Sequence, residues 1–168
     1  MLKLLQNEIN RKKAMRPPIV DEELLRLQRT IKNAIKSKYD SSLKLYIVDS
    51  GSCGACELEL QTLFNPFYNL SKQGVEVVYT PKEADIMLIT GTLTENMYES
   101  VEQAYRELKK PKKVITIGDC PLMESPLRKT FSMTDIKRVS FSSVYHISGC
   151  PPEPRGIIKG LIKYIETV

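Results

Sequence analysis

No apolar run in these 168 residues approaches the ~18–20 needed to cross a bilayer. The N-terminus also lacks the long apolar stretch and cleavage site of a signal peptide, so the expectation is a chain that stays in the cytoplasm. Cysteine is scarce, with four in all, which is too few for a disulfide-stapled secreted scaffold and fits a reduced interior where thiols remain free to bind metal. Histidine occurs once. No Gly-rich fingerprint or Ser/Thr-rich phosphate loop follows the first strand-like run, which counts against a bound flavin, and no internal repeat or low-complexity tract is visible.

What is present suffices for a packed core: 42% of residues are hydrophobic, and the length suits one domain with an extension. The net charge of +5 is placed unevenly. Residues 1–42 carry ten of the 25 Lys and Arg against five of the 20 acids, leaving fifteen of each sign in residues 43–168. A neutral body with a basic arm suits docking to an acidic partner or an anionic lipid surface better than general nucleic-acid binding; a solvated helix face without a partner has the same composition.

Apolar spacing predicts helix over Met1 to Ile9, then a break at Pro17-Pro18. From Asp21, a good N-cap, Leu24, Leu27, Ile31, Ala34 and Ile35 repeat with a period near 3.6, predicting an amphipathic helix over about 21–37. Beyond residue 42 the pattern changes to short strand-like runs: Leu43 to Val48, Val75 to Tyr79, Ile86 to Ile89, Val114 to Ile117 and Val144 to Ile147. Several are continuously apolar, as in a sheet buried on both faces. Helical spacing separates them, over Glu57 to Phe64, along Met97, Val101, Ala104, Tyr105 and Leu108, and in the tail from Ile157 to Ile165. Alternating strand and helix predicts an α/β fold, a flavodoxin-like, doubly wound and mostly parallel sheet over residues 43–168, with residues 1–42 as a basic helical extension.

The four cysteines are Cys53, Cys56, Cys120 and Cys150, in the contexts Gly51-Ser52-Cys53-Gly54-Ala55-Cys56, Gly118-Asp119-Cys120-Pro121 and Gly149-Cys150-Pro151-Pro152. Cys53 and Cys56 follow the first predicted strand, Cys120 the fourth and Cys150 the fifth. In open α/β sheets, ligands lie outside the carboxyl ends of the strands, so all three loops project to one edge. Four soft thiolates gathered there are what a [4Fe-4S] cluster needs, because each iron takes one thiolate as its outer ligand. Neighbouring glycines let amide N–H groups approach cluster sulfurs, and prolines stiffen the loops. Other readings stay open on the residues alone. Cys120 and Cys150 also suit buried small hydrophobes, Cys53 with Cys56 a redox dithiol, and the set a four-thiolate zinc site that stabilises an interaction module, although zinc sites commonly use two C-x2-C pairs.

The runs Val48 to Leu60, Ala84 to Gly91 and Gly149 to Pro154 resemble, in order and content, the small cluster-bearing subunit of membrane-bound group 4 [NiFe] hydrogenases. That family includes the small subunits of formate hydrogenlyase and energy-converting hydrogenases, the related archaeal sulfane reductase and the quinone-proximal cluster subunit of complex I. The resemblance covers residues 43–168. It implies an electron-transfer subunit of an ion-translocating complex, with one [4Fe-4S] cluster held by Cys53, Cys56, Cys120 and Cys150 beside the catalytic site of a large subunit. It also implies a polyferredoxin subunit and membrane-arm subunits as partners, no nucleic acid, and a peripheral position on the cytoplasmic side of the cell membrane. The spaced C-x-x-C is similar to the hydrogenase branch, since complex I proteins have adjacent cysteines there.

By the same resemblance, Glu59 matches an acidic position near the cluster, suited to coupling proton movement to electron arrival; a carboxylate favoured by the helix macrodipole fits it equally. The chain departs from the family at Gly118 to Pro126, where relatives have a Gly-Gly-containing stretch after the cysteine. That rewritten loop opens the terminal acceptor to sulfane sulfur or quinone as well as protons, and Asp119 beside a ligand adds charge that lowers a cluster's potential. His146 suits a satisfied core histidine or a hydrogen-bond donor to the site. Met87, Met97, Met123 and Met133 read as packing residues.

Overall fold

The computed structural model describes residues 21–122 and 131–167. The helix expected over Met1 to Ile9, the Pro17-Pro18 break and the loop from Met123 to Pro126 lie outside the described residues. Five strands form one sheet: β1 Leu43–Asp49, β2 Val75–Val77, β3 Ile86–Thr90, β4 Val114–Ile117 and β5 Val144–Ile147. Their order is β2-β1-β3-β4-β5, and every neighbouring pair is parallel. This is the flavodoxin-like winding, in which the chain first builds outward from β1 through β2 and then crosses to β3 and onward.

Period-two alternation along the strands sorts side chains onto two faces. Leu43 and Leu45 of β1, Ile86 and Leu88 of β3, and Ile115 and Ile117 of β4 enter one apolar cluster. Val48, Met87, Ile89 and Val114 enter the other. The first face is covered by α1 Glu22–Lys38, α2 Ala55–Thr62 and α4 Pro154–Thr167, the second by α3 Glu95–Glu107. β3, with all five residues buried, is central and reads as a continuous apolar run for that reason.

The helix α1 begins where its cap was expected. Asp21 Oδ1 accepts from the Leu24 amide at 3.0 Å, Glu22 and Glu23 stand in the first turn, and Lys36 and Lys38 in the last, each sign matching the macrodipole. Its apolar stripe is fully used, with Leu24, Ile31 and Ile35 buried in the first cluster. Burial of that kind stabilises by about 1.5–3 kcal/mol per large aliphatic side chain. Charges fasten the same helix to α4: Arg155 bridges Asp21 and Glu23, and Lys159 lies 2.7 Å from Glu23.

The extents of β2 and α2 depart from their sequence patterns for identifiable reasons. β2 stops at Val77, short of Tyr79, because it is an edge strand and Tyr79 is exposed just before the turn at Pro81. α2 starts at Ala55, two residues before the apolar spacing begins, because Gly54 takes a left-handed conformation at its N-cap.

A candidate metal centre at the carboxyl edge

Parallel strands deliver every exit loop to one edge, and that edge holds all four thiols. After β1, Asp49 Oδ1 accepts the amides of Gly51 at 2.8 Å and Ser52 at 2.7 Å, curling the chain tightly before Cys53. Ser50, fully buried beneath that turn, donates to the Thr90 carbonyl at 2.7 Å and ties the loop to the end of β3. Cys53 is exposed, whereas Cys56, on the first turn of α2, is buried at 7% exposure within the core cluster.

Cys120 follows β4 and opens a short 3-10 turn, Cys120–Leu122. Its carbonyl accepts from Thr92 Oγ1 at 3.2 Å, so the loop after β3 supports it as well. Gly118, just before, has φ +85°, and a Cβ there would lie 2.7 Å from Cys56 Sγ. Only a residue without a side chain lets the fourth strand's exit pass against the first strand's thiol. Cys150 follows β5 and is exposed. The preceding Gly149 has φ +135°, where a Cβ would meet Pro152 Cα at 2.5 Å.

The structure brings the four cysteines of the sequence pattern within electrostatic range of one another. The Cys56 thiol is pushed up to about 12, first by burial, then by Glu57, then by Cys120, Cys53 and Cys150. Cys150 is raised by desolvation, then by Cys120, Asp119 and Cys53. Among the described residues, no three His, Cys, Asp or Glu side chains close around a single ion. The thiols are thus assembled from three loops without collapsing onto one point. Soft sulfur donors on glycine-rich turns suit an iron–sulfur group chemically.

Glu59 is half-buried on α2. The carboxylate that stands out is Glu57, whose two oxygens are buried with no partner among the described residues, directly after Cys56. An uncompensated buried acid is costly, and no local sequence signal distinguishes Glu57 from Glu59. His146, on the edge strand β5, is partly exposed, its Nδ1 lying 3.0 Å from Thr116 Oγ1 and its Nε2 3.9 Å from Asp119. Met87 is packed in the second cluster and Met97 lies against it. Three apolar side chains are exposed along this edge or near it: Leu58 at 64%, two residues after Cys56; Leu122 at 40%, two after Cys120; and Phe131, fully exposed beside the Ser132 carbonyl that accepts from Glu95.

A flavodoxin-like sheet whose carboxyl edge carries four cysteines on three loops is the frame in which the relatives of this chain are found. Residues 53–164 match the model of the NADH ubiquinone oxidoreductase, 20 Kd subunit, and the chain belongs to that family. It is 35% identical over 127 residues to the probable membrane-bound hydrogenase subunit mbhJ of Pyrococcus furiosus, covering 73% of each chain. It is 29% identical to a subunit of the NADH-quinone oxidoreductase of Clostridium beijerinckii, over 82% of this chain and 85% of that one. Among solved structures, a chain of the membrane-bound sulfane sulfur reductase, an archaeal respiratory membrane complex, superposes with a TM-score of 0.65 at 24% identity, covering 81% of this chain and 73% of that chain. The relatives are subunits of hydrogenase-like and quinone-reducing assemblies, and this chain is accordingly an oxidoreductase-family subunit. No described helix is long and apolar enough to cross a membrane.

Proposed function

We propose that this chain is the electron-transfer subunit of a membrane-bound, ion-translocating respiratory complex, holding one [4Fe-4S] cluster on Cys53, Cys56, Cys120 and Cys150 beside the catalytic site of a large subunit. The observation that carries this reading is the placement of the four cysteines on loops that leave the parallel strands β1, β4 and β5 at one edge, with Gly118 packed against Cys56 Sγ. When bound, such a cluster takes up and releases one electron at a time. The chain's own residues hold and shield it: Cys56 lies under the α2 turn and away from water, Gly118 keeps its loop free of a side chain where it approaches the Cys56 sulfur, and Gly149 lets the Cys150 loop fold against Pro152.

In this reading turnover belongs to the partner, and the chain supplies the path for the electron. The exposed Leu58, Leu122 and Phe131 give the large subunit an apolar surface around the thiols, which would exclude water from a short electron path. A polyferredoxin subunit and membrane-arm subunits complete the assembly, which lies peripherally on the cytoplasmic side of the cell membrane.

Anaerobic purification tests the reading. The expected product is brown, with broad visible absorbance bleached by dithionite and about four irons and four sulfides per chain. Serine in place of Cys56, Cys120 or Cys150 should remove or degrade the chromophore, and a large subunit should copurify with the wild type. A colourless protein with one zinc, or a yellow one with flavin, would sink it.

A further inference from the structure

Cys120 and Cys150 are supplied by neighbouring strands but by separate loops, and something must keep those loops in step once the ladder ends. The last β4–β5 register pair is Ile117 with Ile147. Beyond it, Gly118 N–H still donates to the Ile147 carbonyl at 2.8 Å and Asp119 N–H to the Gly149 carbonyl at 3.0 Å. There β4's chain turns away into the 3-10 turn at Cys120, and β5 is the edge of the sheet, so the Gly149 amide has no strand partner left.

Asp119 takes that place. Its Oδ1 accepts from the Gly149 amide at 2.7 Å, a charge-assisted bond between residues thirty apart in sequence. The same oxygen is 3.9 Å from His146 Nε2, too far for a hydrogen bond, so the amide of Gly149 is its short contact. The two bonds form a reciprocal pair, amide to carbonyl and amide to carboxylate, one residue ahead of each thiol. Gly149 needs such holding, since its φ of +135° is a conformation that nothing in the strand imposes.

We propose that Asp119 is a positioning residue for the thiol pair, its acceptor oxygen locking the Cys120 and Cys150 loops together before any metal arrives. The inference rests on the reading that these thiols hold an iron–sulfur cluster, but the latch itself belongs to the chain. Its essential feature is an acceptor at Oδ1; the negative charge is secondary and acts on the potential.

The test uses the full chain with Asp119→Ala, Asp119→Asn and, as a control for general destabilisation, Asp85→Ala, which removes the acceptor of the Lys44 amide far from the thiols. Hydrogen exchange of the Gly149 amide in metal-free protein should be about ten- to a hundredfold faster in Asp119→Ala and close to wild type in the other two. In protein purified anaerobically, Asp119→Ala should lose iron or show the spectroscopic signature of a three-iron cluster. Asp119→Asn should retain the full cluster at a reduction potential more positive than wild type. Wild-type exchange at Gly149 in Asp119→Ala overturns the proposal, as does cluster loss in Asp119→Asn equal to that in Asp119→Ala. A wild-type chain that takes up no iron refutes the proposed function instead, and the exchange measurement then still decides the latch.

Discussion

The two edges of the sheet are built in opposite ways. At the carboxyl edge, Gly51, Gly91, Gly118 and Gly149 all have positive φ, the loops tie to one another through backbone and carboxylate bonds, and those loops carry the four thiols. At the amino edge, the same strands begin beside an open cleft of about 400 Å³ lined by Lys38, Lys44, Lys109, Lys110 and Lys113 with Asp85 among them. Lys112 Nζ caps the end of α3 through the Tyr105 and Arg106 carbonyls at 2.7 and 2.8 Å, and Lys113 donates to the Tyr39 hydroxyl at 2.9 Å. Cations here answer the negative ends of helices. Left-handed backbone occurs at both edges, Gly74 supplying it at the amino edge, but only the carboxyl edge sets it beside thiols, whereas the amino edge is lined by long cationic side chains.

Glycine substitution gives the sharpest contrast. Gly118→Ala and Gly74→Ala each force a side chain onto a residue of φ +85° or +92°, and each Cβ would be crowded, at 2.7 Å from Cys56 Sγ and 2.9 Å from the Ser41 carbonyl respectively. Both should cost about 1–3 kcal/mol in denaturant unfolding. Only Gly118→Ala should also lose iron, and equal iron contents in the two variants would erase the distinction between the edges.

Alkaline unfolding comes next in size. Burial, with help from Asp85, pushes Tyr39 up to about 12, and burial with help from Tyr39 does the same for Tyr164. A group raised in the folded state stabilises fully below its unfolded value, near 10, and that contribution disappears as pH rises towards 12. Each tyrosine should therefore account for roughly 1–3 kcal/mol lost across that window. Lys113, lowered by burial, changes in the opposite sense, its gain coming as pH rises towards 10.5 and so ahead of most of the tyrosine loss. Unfolding followed at pH 8, 10 and 12 should be flatter in Tyr164→Phe, and an identical slope would count against the assignment.

The smallest effect is expected from Lys109→Ala, which removes an exposed ion pair with Asp85 at 3.2 Å. At most about 1 kcal/mol should be lost, with iron content untouched.

Much of this architecture was legible because periodicity is a local signal. Val114 to Ile117 and Val144 to Ile147 match their strands residue for residue, and Asp21 with Leu24, Ile31 and Ile35 predicts α1 to within one residue. The convergence of Cys53, Cys56, Cys120 and Cys150 followed from the rule that parallel strands share an exit edge. What stayed hidden depends on how distant loops touch. Nothing in the residues around Gly118 says that it lies against Cys56, nothing around Asp119 says that it receives the amide of Gly149, and two glutamates two positions apart gave no sign that Glu57 is the one whose oxygens are buried without a partner among the described residues.

The bridge from Arg155 to Asp21 and Glu23 has a directional consequence. Through it the first turn of α1 is moored to the start of α4, which begins four residues past Cys150. Asp21 therefore stands on the thiol side of the body. A reporter dye or crosslinker attached beside it would sample the neighbourhood of the thiols, whereas one placed near Tyr39 would look out from the opposite end.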